Sequence, residues 1–288
     1  MFFNRVKTFI LIVGLSLLLM LLGNFFGGYR GMQIALVLAL VFNVIAYFYS
    51  EKIVLKMYRA QPLDERRYSN IHTMVQELAS AMNIPKPKLW MVHSTMANAF
   101  ATGRNPSHSS VVVTLGIVEV LDEHELRGVL AHELSHIKNR DILIATIAAT
   151  IATAISYMAS MLRFAAFWGG SNRKRGNPIA MLLVAIVMPV AAMLIQLAIS
   201  RSREFLADDT GAYYTQDPLA LASALKKLHG FAKRTAPHVD SAGKESTASL
   251  FIVHPFSGKN VLSLFSTHPP VEKRIERLKK LYEKMFQI

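Results

Sequence analysis

The 288-residue chain contains no cysteine. That excludes disulfide bridges and every thiolate metal site, so a metal held here is held by nitrogen and oxygen. The absence also suits a reducing compartment without requiring one. Acidic residues are scarce: 19 Asp and Glu stand against 32 Lys and Arg, a formal net charge of +13. Such a surplus can signal nucleic-acid binding, yet the basic residues are scattered, with no aromatic-interleaved stripe or recognition motif. No nucleic-acid partner is expected. Attraction to an anionic lipid surface accounts for the surplus more simply.

Charge is wholly missing from four stretches, residues 9–26, 32–49, 142–162 and 179–200. Each meets the roughly 18–20 residues that a helix needs to cross a hydrocarbon core. A hydrophobic share of 52% agrees with a membrane protein, whose lipid bilayer is its first partner. Pro189 kinks the fourth stretch, which membrane helices tolerate. The first stretch follows Arg5 and Lys7 as a signal peptide would, but no small-residue cleavage site follows it. It reads as a retained anchor. No ionisable side chain lies within the four stretches, which argues against a metal transporter.

The expected organisation is two N-terminal membrane helices in 1–50, then a first soluble part in 51–141. A membrane-crossing or partly embedded hairpin in 142–200 and a second soluble part in 201–288 follow. The flanks of the first pair set Arg5, Lys7, Lys52 and Lys56 against Arg30, placing the soluble parts in the cytoplasm. Around the second pair, Lys138, Arg140, Arg201 and Arg203 balance Arg163, Arg173, Lys174 and Arg175. Either course of that hairpin returns both soluble parts to one membrane face.

The most informative residues are His132-Glu133-Leu134-Ser135-His136. On a helix, side chains four apart share a face, so the two imidazoles can grip one Zn²⁺. Glu133, one step round, can reach a water molecule there and act as general base. The pattern also arises by chance, so its surroundings matter. Residues 121–140 read as an amphipathic helix, with Asp122 as N-cap and Glu125 completing a capping box. Leu126, Val129, Leu130, Leu134 and Ile137 form its buried stripe. Two histidines inside such a helix are costly unless they have a partner.

A catalytic zinc commonly takes three protein ligands. With thiolates excluded, Glu204 is the best third candidate, and Asp208 lies four residues further along the same helical face. One carboxylate would bind the metal while the other accepts the outer N–H of a ligand histidine. The plainer alternative is a solvated acidic helix.

Helices are expected over 68–82, 218–231 and 270–287, strands over 88–92, 97–101 and 110–114, and a loop over 232–249 that could serve as a lid. Asn98, Ala99, Phe100, Ala101, Thr102 and Gly103 sit just before the histidine helix. They read either as an exposed edge that pairs with an extended substrate or as a plain internal strand. His268 lies beside the prolines that open the last helix. It is an ordinary helix-start residue or a group that stabilises an oxyanion.

Taken together, the residue sets Asn98–Gly103, Ala131–His136, Ser202–Asp208 and Thr267–Pro270 with Arg274-Ile275 resemble the HtpX family of bacterial membrane zinc metalloproteases. These are relatives of the CAAX prenyl protease. The resemblance implies a mainly α fold of four transmembrane helices plus a cytoplasmic zincin-like α+β protease domain with a small sheet. It implies one Zn²⁺ held by His132, His136 and Glu204, with Glu133 as base and Asp208 behind a ligand. It further implies Asn98–Gly103 as a substrate-binding edge, with His268 and Arg274 as candidates for transition-state support. The implied activity is hydrolysis of peptide bonds in misfolded or damaged membrane proteins at the bacterial inner membrane, alongside other quality-control proteases. A membrane scaffold that binds zinc without catalysis is the alternative, and it would make Glu133 dispensable.

Overall fold

The computed structural model describes residues 2–143, 145–147, 201–235 and 269–287. Most of the third and fourth expected spans, most of the loop over 232–249, and His268 fall outside the described residues.

Helix α1 (Phe2–Met57) is two helices joined at Gly28, whose φ of 55° and ψ of −148° leave the helical region. Positive φ costs glycine nothing, so the chain can reverse there. The reversal is seen in what meets across it. The Asn43 side-chain amide donates to the Ser16 hydroxyl at 2.9 Å, and a Cβ added at Gly23 would lie 2.6 Å from Ala35 Cβ. These backbones therefore pack as an antiparallel hairpin, as the sequence leads one to expect of 9–26 and 32–49. Among the described residues one stretch, Gly27–Ile45, is long and apolar enough to cross a membrane. The third and fourth expected crossings lie mostly outside the described residues.

Beyond α1 come β1 (Gln61–Pro62), α2 (Ser69–Ala81), β2 (Lys88–Val92), β3 (Ala99–Asn105) and β4 (His108–Thr114). A short α3 (Leu115–Val120) leads into α4 (Glu123–Lys138). The later part holds α5 (Arg201–Thr215), α6 (Pro218–Thr235) and α7 (Val271–Phe286). The fold is mostly helical with one small mixed sheet of order β1-β2-β4-β3. β2 runs parallel to β4, while β3 pairs antiparallel with β4.

Alternation along the strands gives the sheet two buried faces. Leu89, Met91, Ala99, Ala101, Val111 and Val113 join the main core with α2 and α4. Val92, Phe100 and Val112 turn the other way, onto Val54 and Leu55 at the end of α1. The sheet is therefore a plate between the foot of the membrane helix and the histidine helix.

Candidate metal centre

Helix α4 begins as its sequence predicts. The Asp122 carboxylate accepts from the Glu125 backbone N–H at 3.0 Å, and Glu125 accepts from the Asp122 N–H at 3.1 Å. Glu125 also receives Lys227 Nζ and the Ser223 hydroxyl, both at 2.6 Å, which ties the start of α4 to α6. Val129, Leu130, Leu134 and Ile137 are fully buried. The same helix buries His132 and Glu133. Polar groups in that setting need designed partners.

Helix α5 supplies them because it lies very close to α4. A Cβ built on Gly211 would come within 3.0 Å of the His132 backbone nitrogen, so a larger residue would force the helices apart. At that separation Glu204 and Asp208, one turn apart on α5, both face the histidines. His132 Nε2 and His136 Nε2 stand 3.2 Å apart. Glu204 brings its oxygens to 3.7 Å from His132 Nε2 and 3.6 Å from His136 Nε2. Among the described residues this is the group of three or more His, Asp and Glu side chains able to hold a metal.

The spacing fits a particular kind of ion. Ligand atoms at 2.0–2.1 Å from a tetrahedral zinc stand about 3.3–3.4 Å from one another, and the three observed separations bracket that value. Two imidazole nitrogens and one carboxylate are also a donor set that zinc accepts. The buried histidine nitrogens point at each other, an arrangement that a shared cation resolves.

Each ring is oriented from behind. Asp208 Oδ1 accepts from His132 Nδ1 at 2.9 Å, leaving Nε2 for the metal position. Asp208 is itself gripped by Arg274 of α7, through Nε at 2.8 Å and Nη2 at 2.7 Å. Arg274 is fully buried, and besides gripping Asp208 its Nη2 lies 3.4 Å from both ring nitrogens of His132, with Nη1 3.8 Å from Glu204. Behind His136 stands Asp141, 3.4 Å from Nδ1. Sequence reasoning treated Asp141 only as the residue before the third apolar stretch. Its signal was its place just beyond the helix end, where Arg140 with φ 58° turns the chain back toward His136.

Electrostatics follow from this crowding. Burial disfavours the charged form of Glu133 and raises its pKa to about 7. Burial would lower His136, but the Asp141 hydrogen bond and the charge of Glu204 outweigh it and raise the ring to about 9. For His132, burial dominates and lowers the pKa. Asp208 is held below its usual range because Arg274 overcomes the cost of burying it.

The expected edge strand lies beside this centre. Ala101 is aligned with Val111 on β4, yet its N–H donates to Glu133 Oε2 at 2.9 Å. The side of β3 away from β4 therefore faces the HExxH glutamate. Asn98, just before the strand, exchanges hydrogen bonds with Thr114. Thr102 and Gly103 meet the hydroxyl of Thr146 at 3.1 and 3.2 Å.

A buried two-histidine, one-carboxylate cluster with a further glutamate on the same helix defines a zinc peptidase. Residues 65–282 match Peptidase family M48, and the chain belongs to that family. It is 48% identical over 283 residues to a Protease HtpX homolog of Syntrophobacter fumaroxidans, covering 96% of this chain and 99% of that one. A Protease HtpX homolog of Burkholderia thailandensis is 49% identical over 278 residues, covering 96% of each. Among solved structures the chain is similar to S. mikatae Ste24p, with a TM-score of 0.51 and 17% identity. That likeness covers 96% of this chain and 64% of the Ste24p chain, and it concerns the fold. The protein is accordingly a zinc-dependent membrane metallopeptidase, a hydrolase of peptide bonds.

Proposed function

We propose that the chain is a multi-pass endopeptidase of the bacterial inner membrane. It cleaves misfolded or damaged proteins, chiefly membrane proteins, from a cytoplasmic catalytic domain. The observation that carries this reading is the 2.9 Å hydrogen bond from Ala101 N–H to Glu133, because it sets a sheet edge and a proton acceptor side by side at the metal cluster. An extended, unfolded segment can add to such an edge through main-chain hydrogen bonds, largely regardless of its side chains, once it takes the place of Glu133 and Thr146 on the Ala101 and Gly103 N–H groups. That suits a protease of damaged chains. The short basic flanks of α1 support the cytoplasmic orientation.

In this reading His132, His136 and Glu204 hold the zinc, which when bound supplies Lewis acidity toward the scissile carbonyl and toward water. Glu133 takes the proton from the attacking water and delivers it to the leaving amine nitrogen. The Ala101 N–H holds the Glu133 carboxylate in place before substrate arrives. Asp208 and Asp141 face the Nδ1 atoms, so that the Nε2 atoms are the ones directed inward and freed of any proton when the metal binds. Arg274 holds Asp208 and lies beside the ligand side chains, its Nη2 3.4 Å from both ring nitrogens of His132 and its Nη1 3.8 Å from Glu204.

The test is cleavage of an unfolded protein by the detergent-solubilised, zinc-loaded chain, with Glu133→Gln and Glu204→Ala alongside. Expected is chelator-sensitive cleavage by wild type. Glu133→Gln should lose about 10²–10⁴-fold in rate with zinc content intact, and Glu204→Ala should lose zinc as well as activity. Equal rates for wild type and Glu133→Gln would remove Glu133 as the base. Equal zinc content in Glu204→Ala would remove Glu204 as a ligand.

A further inference from the structure

The face of the sheet opposite the metal cluster carries a second feature. At the foot of α1 a cleft of about 810 Å³ opens between the helix and the strands. Its charged lining is one-sided: Lys52, Lys56, Lys88 and Arg104 stand against one acid, Glu51. Glu51 is engaged, accepting from the Ser110 hydroxyl at 2.7 Å, and Ser110 in turn accepts from the Trp90 indole N–H at 3.0 Å. Aromatic rings steady two of the cations. Lys52 Nζ lies 5.6 Å from the Tyr49 ring centre, and the Arg104 guanidinium lies 5.1 Å from that of Phe48.

The position of the cleft matters as much as its charge. It begins where the candidate span Gly27–Ile45 ends, at the depth where aromatic side chains mark a membrane–water interface. On the membrane side, Val37, Val41, Val44 and Phe48 recur at four- and three-residue spacing. They are 59%, 51%, 56% and 54% exposed. They form one apolar stripe along the helix, and the next residue on that stripe is Lys52. An apolar stripe ending in a basic, aromatic-walled cleft at headgroup level matches one kind of molecule: an anionic lipid with chains on one side and a phosphodiester on the other. A protein segment would not need both halves in that order.

We infer that this cleft binds the headgroup of an anionic phospholipid, whose acyl chains lie along the Val37–Val41–Val44 stripe. Lys52 and Lys88 supply the charge contacts, and Trp90 reports on occupancy from the cleft wall. Cations near an anionic membrane surface each strengthen such binding by about fivefold. The site is independent of Glu133 and of the metal, so it stands or falls separately from the proteolytic reading.

The chain has two tryptophans; Trp168→Phe leaves Trp90 as the only reporter. The full, zinc-loaded protein in detergent is titrated with short-chain phosphatidylglycerol, phosphatidylcholine or inorganic phosphate, and Trp90 fluorescence is followed. Expected is a saturable change with phosphatidylglycerol, at least about tenfold weaker affinity for phosphatidylcholine, and no saturation with phosphate at matched concentration. Lys52→Gln/Lys88→Gln should weaken phosphatidylglycerol by about tenfold or more. A charge-matched Lys226→Gln/Lys279→Gln control, far from the cleft, should not. Zinc content reports folding of each variant. Should the double variant lose zinc, Lys88→Gln alone carries the test, with an expected loss of about fivefold. Equal affinity for the two lipids, phosphate saturating like the lipid, or folded cleft variants that bind as wild type would each overturn the assignment.

Discussion

Arg274 and Asp208 form a two-pronged ion pair, at 2.7 and 2.8 Å, with neither side chain exposed to solvent. Asp208 then accepts from His132, so a residue of the last described helix decides how a ring on α4 is turned. Breaking such a pair from one side leaves a buried charge without its partner, at a cost of about 3–5 kcal/mol. Arg274→Ala is therefore expected to lower the melting temperature sharply and to weaken zinc retention. Asp208→Asn breaks the same pair from the other side, leaving Arg274 buried without its partner, and should add a loss of about 10–100-fold in zinc affinity. Thermal unfolding and competitive chelation, run on the same samples, separate the two effects. An Arg274→Ala protein as stable as wild type would contradict the pairing.

Asp141 makes a sharper test, because its place just beyond the helix end is all that marks it in the sequence. Replacing it with Asn keeps shape but removes the charge beside His136. Zinc affinity should fall by about tenfold or more, with little change in far-ultraviolet circular dichroism. Unchanged affinity would mean that the 3.4 Å approach to His136 is incidental.

Gly211 sets the distance between the two metal-facing helices. Gly211→Ala puts a methyl group 3.0 Å from the His132 nitrogen. A backbone neighbour cannot swing away, so α5 must move and take Glu204 with it. Overpacking of this kind costs about 1–3 kcal/mol. The expected signature is a loss of zinc affinity out of proportion to the loss of stability. Gly230→Ala, where a Cβ meets nothing within 4 Å, serves as the control: it should leave zinc affinity unchanged and raise stability by about 0.5–1 kcal/mol through helix propensity.

The cap at Asp122 offers a test of stability without chemistry. Asp122→Ala should cost about 1 kcal/mol and leave the rate per folded molecule unchanged. The hydrogen bond from Glu125 N–H holds the Asp122 carboxyl below its ordinary value of 3.8. A depressed carboxyl stabilises the fold above its unfolded pKa and loses that contribution as pH falls through the folded one. The difference between wild type and variant should therefore be constant above about pH 5 and shrink below pH 4. Chemical denaturation at a series of pH values checks it.

What the sequence revealed and concealed divides by how local each signal is. Helix α4 was legible because its cap, its stripe and its histidines all lie within one short segment; the expected 121–140 became Glu123–Lys138. Strand β2 matched residue for residue. Strand β3 was expected at 97–101 but runs Ala99–Asn105, because Thr102 to Asn105 lack apolar character and are held by pairing with β4. Helix α6 continues to Thr235, past the loop start expected at 232. Helix α3 went unforeseen, its few residues too short for periodicity. The grip of Arg274 on Asp208 spans 66 positions, and no spacing rule reaches that far. Spacing did suggest a common face for Glu204 and Asp208, but not which histidine each would meet.

The metal cluster is also spread over the order in which the chain is made. His132 and His136 leave the ribosome first. Glu204 and Asp208 come only after the apolar stretches at 142–162 and 179–200, and Arg274 later still. During synthesis the molecule carries two histidines with no third donor and nothing to brace the first. The three-residue cluster is therefore incomplete until the segment bearing Glu204 has been made, and Asp208 waits for its Arg274 partner until the last described helix follows.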